Sequence, residues 1–301
     1  MAPRASSPAS VRRRAHLRTQ FSAPAMVRRE RARLVGSAAA ELRRTLIARF
    51  LDRTLSTVRG PILEVGPGTG RFTEGLGALG RPLVLVDLAR PMLRASRRTI
   101  RRWSGGSATP NAFVQAAAER LPFAAGRFGA VVLVGLFGFF ARDGSDVLRE
   151  AARVLRPGGR IVVETQSASH AIGSILPGAP RAATRILRRP RLYHLDRILR
   201  HGYQPLDPIH LAHWEYRYWR PGELEAAVRS AGLRTVDRMS VGAALGLHGE
   251  VLRALRRDPA AWRTLIDCEE TVGRWPESFG AGASFLLAAE RPASPTSRRR
   301  R

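Results

Sequence analysis

The sequence predicts an α/β protein: a doubly wound, mostly parallel sheet of seven strands with helices on both faces. Three observations predict it. Short apolar runs at Pro61–Val65, Pro82–Val86, Ala130–Val134 and Arg160–Glu164 alternate with stretches of helical period. A glycine-rich turn, Gly66-Pro67-Gly68-Thr69-Gly70, separates the first run from the helical pattern at Arg71–Leu79. The run Ala130–Val134 is apolar at every position, as a strand covered on both faces must be.

The 301 residues allow two domains or one with an insertion, and 44% hydrophobic residues are enough for a sizeable core. The single cysteine, Cys268, excludes an internal disulfide framework and any multi-cysteine metal site, and no metal is expected. All 51 basic residues are arginine, so the formal charge of +27 is first a matter of composition. Such a field attracts anions without selecting one, and a solvated arginine surface is the simpler reading than a nucleic-acid groove.

Residues 1–35 read as a disordered basic leader, with nine arginines and one glutamate among the first 33 positions. No apolar core of a secretory signal is present there, which points to a cytoplasmic protein, and Met26 is a candidate alternative start. Residues 36–291 form the predicted domain, and 292–301 a disordered Arg-rich tail. Within the domain, Leu42, Leu46, Ile47, Phe50 and Leu51 recur at helical spacing between Ser37 and Thr57. A first strand ends at Val65, and a second, Pro82–Val86, is followed by Asp87.

In an open parallel sheet the carboxyl ends of neighbouring strands face one crevice, which puts Asp87 beside the glycine turn. A carboxylate there can accept both hydroxyls of a ribose; it can also cap the helix that starts at Leu88. A helix over Asp143–Leu155 leads through Pro157-Gly158-Gly159 into the fifth strand. Helices at Gly222–Ala231, Ala243–Arg257 and Ala260–Val272, and strands at Leu233–Met239 and Ser284–Glu290, complete the domain.

Taken together, Glu64-Val65-Gly66-Pro67-Gly68-Thr69-Gly70, Val86-Asp87, Ala118-Glu119-Arg120-Leu121-Pro122-Phe123 and Leu155-Arg156-Pro157-Gly158-Gly159-Arg160 resemble the class I S-adenosylmethionine-dependent methyltransferases, in particular the type 11 methyltransferase-domain group. The resemblance covers about Leu42 to Glu164 and implies a Rossmann-like fold with S-adenosylmethionine as cofactor. It implies cofactor contacts by Glu64 at the amino-acid end, by the turn Gly66, Pro67, Gly68, Thr69 and Gly70, and by Asp87 at the ribose. Leu88, Met92, Ala118 and Glu119 follow around the adenine. Two positions depart from the family pattern: Ala117 replaces the usual adenine-binding acid, and Gly129 the usual aspartate opening the fourth strand.

Residues 166–220 interrupt the alternation after the fifth strand and are expected to form an inserted lid that recognises the acceptor. Five of the seven histidines lie there, and His170, His210 and His213 are the candidates for a general base; surface or packing histidines are the plainer reading of each. The expected activity is methyl transfer by direct displacement to a small-molecule acceptor. No Asn/Asp-Pro-Pro-Tyr/Phe follows the fourth strand, which disfavours base-amino methylation. A non-catalytic or RNA-associated protein retaining the fold is the alternative, and RNA is the less favoured partner.

Overall fold

A computed structural model of the chain describes residues 8–32, 36–103, 112–140, 144–168, 197–198, 200–204, 215–245 and 249–293. The seven-stranded sheet runs in the order β3-β2-β1-β4-β5-β9-β8. These strands are β1 (Ile62–Val65), β2 (Leu83–Asp87), β3 (Ala112–Gln115), β4 (Phe128–Leu133), β5 (Leu155–Gln166), β8 (Arg234–Val241) and β9 (Ser284–Glu290). The first five are parallel, and β9 runs antiparallel between β5 and β8. The chain order reverses at β1, so the carboxyl ends of β1, β2 and β4 meet at a topological switch point, where open α/β sheets bind ligands.

Strand pleating sends alternate side chains to opposite faces. Ile62, Leu85, Ala130, Val132, Val162, Leu286 and Ala288 join one core layer; Leu63, Val86, Val131, Leu133, Val163, Phe285 and Leu287 join the other. The first layer is covered by α3 (Ala38–Leu55), α4 (Thr73–Gly77), α5 (Arg90–Trp103), α8 (Gly249–Leu255) and α9 (Pro259–Gly273). The second is covered by α6 (Gly144–Val154) and α7 (Pro221–Ser230). Helix α3 starts where the Ser37 hydroxyl accepts the Ala40 N–H at 3.1 Å, and it buries the five apolar residues that its period singles out. Asp258 caps α9 in the same manner, accepting from Ala260 N at 2.8 Å.

The leader is not disordered where it is described. Residues 8–32 form two helices, α1 (Pro8–Ser22) and α2 (Pro24–Ala32). Their order comes from distant partners: Leu17 and Met26 are buried, Met26 against Ala89 and Met92, and Arg13 meets Glu119 at 2.8 Å. The tail beyond residue 293 lies outside the described residues. The helix expected over Ala243–Arg257 is shorter, covering Gly249–Leu255.

Most of the predicted insertion also lies outside the described residues. What is described includes a two-stranded antiparallel pair, β6 (Tyr203–Gln204) with β7 (Tyr216–Arg217), and a bridge from Ser167 to Trp219. These return the chain to the carboxyl edge of the sheet. No described helix is long and apolar enough to cross a membrane.

Gly129 has a purely steric role. A Cβ there would stand 1.8 Å from the Arg59 carbonyl oxygen, because the chain before β1 crosses this position closely and Gly129 N–H donates to Pro61 O at 2.9 Å.

Candidate functional site

A cavity of about 550 Å³ opens over the carboxyl ends of the strands, at the switch point. That size is in the usual range for cofactor and small-molecule pockets. Its walls come from two halves of the sheet. On the β3-β2-β1 side they are Gly66, Pro67, Gly68, Thr69, Asp87, Leu88, Met92 and the loop Ala116–Glu119. On the β4-β5 side they are Gly135, Leu136, Phe139, Phe140, Glu164 and Gln166, with Tyr216 and Tyr218 from around β7. Arg43 of α3, Phe72, and Arg14, Leu17, Phe21 and Glu30 of the N-terminal helices close the rest.

The turn after β1 and the acid ending β2 converge. One Asp87 oxygen accepts the Ala89 N–H at 2.8 Å, and the other accepts the Gly68 N–H at 3.3 Å. Asp87 therefore caps the following segment and holds the glycine turn at once. Burial pushes its carboxyl up to about 6, against the opposing effect of those N–H donors. At Gly68 the backbone takes φ +56°, and a Cβ would meet nothing within 4 Å, so the main chain is bare towards the cavity. Gly66 instead lies under Leu136, where a Cβ would come within 2.6 Å of the leucine methyl.

Glu64 and Gly70 do not line the cavity. The Glu64 carboxylate is buried behind the turn and accepts the Thr73 hydroxyl at 2.7 Å, tying β1 to α4. Burial raises its carboxyl to about 7, and the nearby Asp87 adds to the rise. Nine of the eleven cofactor candidates thus share one wall: Gly66, Pro67, Gly68, Thr69, Asp87, Leu88, Met92, Ala118 and Glu119. Met92 both lines the cavity and packs on Met26. Glu119 is held by Arg13 at 2.8 Å, with Arg14 at 4.0 Å. His170, His210 and His213 lie outside the described residues.

The β4-β5 half joins groups that lie far apart in the sequence. Arg43 meets Glu164 at 2.7 Å, and Glu164 also accepts the Gly135 N–H at 2.8 Å. The Arg43 guanidinium stands 5.1 Å from the centre of the Phe72 ring. Phe139 packs edge-on against both Phe21 and Tyr216, at 5.4 and 5.1 Å between ring centres, and Tyr216 lies 5.0 Å from Tyr218. The Tyr216 ring rests on Gly138, where a Cβ would come within 2.1 Å of it. Burial raises both phenols, and for Tyr216 the Glu164 charge adds to the effect, so both hydroxyls stay protonated at neutral pH. The signal for this half was faint: Tyr216 and Tyr218 stand with Trp214 and Trp219 near the end of the insertion, but nothing local ties them to Arg43 or Phe21.

Comparison with known proteins agrees with this geometry. Residues 63–163 match the methyltransferase domain family. The ubiquinone/menaquinone biosynthesis C-methyltransferase UbiE of Hahella chejuensis is 35% identical over 117 residues, 38% of this chain and 45% of the relative. The chain thus matches less than half the length of that relative. Among solved structures, a SAM-dependent methyltransferase of Methanosarcina mazei superposes with a TM-score of 0.53 at 14% identity, covering 81% of this chain and 98% of that one. The [4+2]-cyclase SpnF superposes at 0.52 with 16% identity, covering 82% and 81%. At such identities the structural likeness speaks to the fold. Residues 63–163 thus match a methyltransferase domain, and they sit in a seven-stranded sheet whose fold is that of the SAM-dependent methyltransferase structure above.

Proposed function

We propose that the protein is an S-adenosylmethionine-dependent methyltransferase that acts in the cytoplasm on a small-molecule acceptor by direct displacement. The observation that carries this reading is the convergence of Gly68 and Asp87, 3.3 Å apart through the N–H, on the wall of one cavity. The donor set suits a nucleoside-bearing cofactor. Asp87 is fixed by two backbone N–H groups, which leaves lone pairs to accept ribose hydroxyls. The bare backbone at Gly68 lets a ligand approach closely, and Leu88, Met92 and Ala118 offer apolar surface beside it.

The cofactor, when bound, supplies an activated methyl group on a sulfonium. The residues of this chain then act by positioning. They orient the acceptor in line, exclude water and leave a route for any proton released. Glu64 acts from behind the turn, fixing Thr73. The protonated phenols of Tyr216 and Tyr218 serve as hydrogen-bond partners for the acceptor and not as bases. A base, where the acceptor needs one, comes from His170, His210 or His213.

Calorimetric titration of the full chain with S-adenosylhomocysteine tests the cofactor assignment, and Asp87→Asn should lose most of the affinity. A [4+2]-cyclase shares the fold, so binding alone is not decisive. Incubation with methyl-labelled cofactor and a metabolite extract should move label into the small-molecule fraction. Label found only in RNA, or no binding of S-adenosylhomocysteine, would overturn the reading.

A further inference from the structure

The acceptor half of the cavity differs in charge from the surface around it. The chain as a whole carries +27, yet each arginine in the cavity wall has a carboxylate beside it. Arg43 meets Glu164 at 2.7 Å; Arg71, also in the wall, meets Glu30 at 3.6 Å; and Arg14, on the cofactor side, stands 4.0 Å from Glu119, which it shares with Arg13 at 2.8 Å. Glu164 is 1% exposed and also takes the Gly135 N–H, so its charge is satisfied within the protein. Among the described residues, Asp87 is the one charged group of the wall with no cation beside it, and it belongs to the cofactor half.

Over β4 and β5 the remaining described surface is uncharged: aromatic rings, aliphatic groups, two phenol hydroxyls and the Gln166 amide. Leu17, Phe21 and Phe139 give apolar walls, and Tyr216 and Tyr218 keep their protons. An anionic acceptor seated there would give up its hydration and find, among the described residues over β4 and β5, no cation without a carboxylate beside it, a cost that burial without a partner makes large. A flat, uncharged ring would exchange water for edge and face contacts with three or more aromatic side chains. We propose that this half-cavity is an acceptor subsite for a neutral ring-bearing molecule and that it rejects phosphorylated or carboxylate metabolites. The proposal rests on the methyltransferase reading and names the acceptor class within it.

The test uses the full chain saturated with S-adenosylhomocysteine and two probes of one shape, 2-naphthol and 2-naphthoate, near neutral pH. The expected result is that 2-naphthol binds at least about ten-fold more tightly than 2-naphthoate. Phe139→Leu should weaken 2-naphthol by about five-fold while leaving S-adenosylhomocysteine unmoved. Glu164→Gln frees the Arg43 charge and should raise the affinity for 2-naphthoate by about ten-fold, narrowing the preference. Failure of S-adenosylhomocysteine to bind would sink the methyltransferase reading. With that ligand bound, absence of 2-naphthol binding, or 2-naphthoate binding equally well or better, would overturn the neutral-ring subsite alone. Glu164→Gln requires the charge pair to be removed from a folded protein; if that variant does not fold, the Phe139→Leu result decides.

Discussion

Asp87 and Gly68 are nineteen residues apart in the chain and joined by one hydrogen bond, from the Gly68 N–H to the Asp87 carboxylate at 3.3 Å. The bond ties the turn after β1 to the end of β2 and fixes the wall on which a nucleoside would lie. On the proposed reading, Asp87→Ala should weaken S-adenosylhomocysteine binding by two routes, the lost acceptors for the ribose and the freed turn. Hydrogen bonds to a charged group contribute about 1.5–3 kcal/mol, so a loss of roughly ten- to a hundred-fold in affinity is expected by calorimetry. Unchanged affinity would exclude Asp87 from the site.

The two raised carboxyls give a pH dependence of known sign. Glu64 stands at about 7 in the folded protein against an ordinary 4.5, and Asp87 at about 6 against 3.8. A raised carboxyl favours the folded state below its ordinary value and loses that contribution as pH rises through the folded value. The loss for Glu64 is thus spread between pH 4.5 and 7, and that for Asp87 between 3.8 and 6. Glu64→Gln keeps the partner to Thr73 and removes the titration. Its Tm relative to wild type should improve from pH 5 to pH 8, measured by circular dichroism; a constant difference would contradict the assignment.

Binding has its own pH limit. On the proposed reading, protonation of Asp87 removes an acceptor for the ribose, so affinity for S-adenosylhomocysteine should fall as pH drops below about 6. Titration calorimetry at pH 5, 6 and 7.5 checks it. An affinity that is flat over that range would mean that the carboxyl does not meet the ligand.

The N-terminal helices are tied to the domain by a few long contacts, with Arg13 on Glu119 and Phe21 on Phe139. Arg13→Ala should leave the sheet domain folded and make residues 8–32 more open to limited proteolysis. Partly buried charge pairs of this kind contribute on the order of 1 kcal/mol, enough to raise the open population about five-fold. Cleavage at an unchanged rate would show that the pair does not hold the helices down.

At Gly129 any side chain collides with the Arg59 carbonyl. Gly129→Ala should destabilise the protein by about 3 kcal/mol, visible as a lower urea midpoint without loss of ligand contacts in the remaining folded fraction. A shift of less than about 0.5 kcal/mol would mean that the crossing chain yields freely.

Legibility in the sequence followed locality. The turn from Gly66 to Gly70 and the position of Asp87 could be read because a strand, a glycine run and a helix are consecutive, and parallel pairing then sets Val65 beside Val86. The helix over Leu42–Leu51 was equally plain, since its period is written in the residues themselves. The order of α1 was not. Its residues show no apolar stripe, and the helix is held by Glu119, more than a hundred residues away. The pair Arg43–Glu164 spans 121 residues and leaves no local pattern. The departure at Gly129 looked like a small change from the family pattern, and the reason for it lies in a backbone crossing that only the folded chain creates.

Gly138 lines no part of the cavity, yet it sets how deep the Tyr216 ring can sit. A single added methyl at that position would lift the ring towards the opposite wall and leave every lining residue unchanged in identity. The size of guest that the enclosure admits is therefore adjustable from underneath, and variants at position 138 offer a dial for specificity that a survey of lining side chains would pass over.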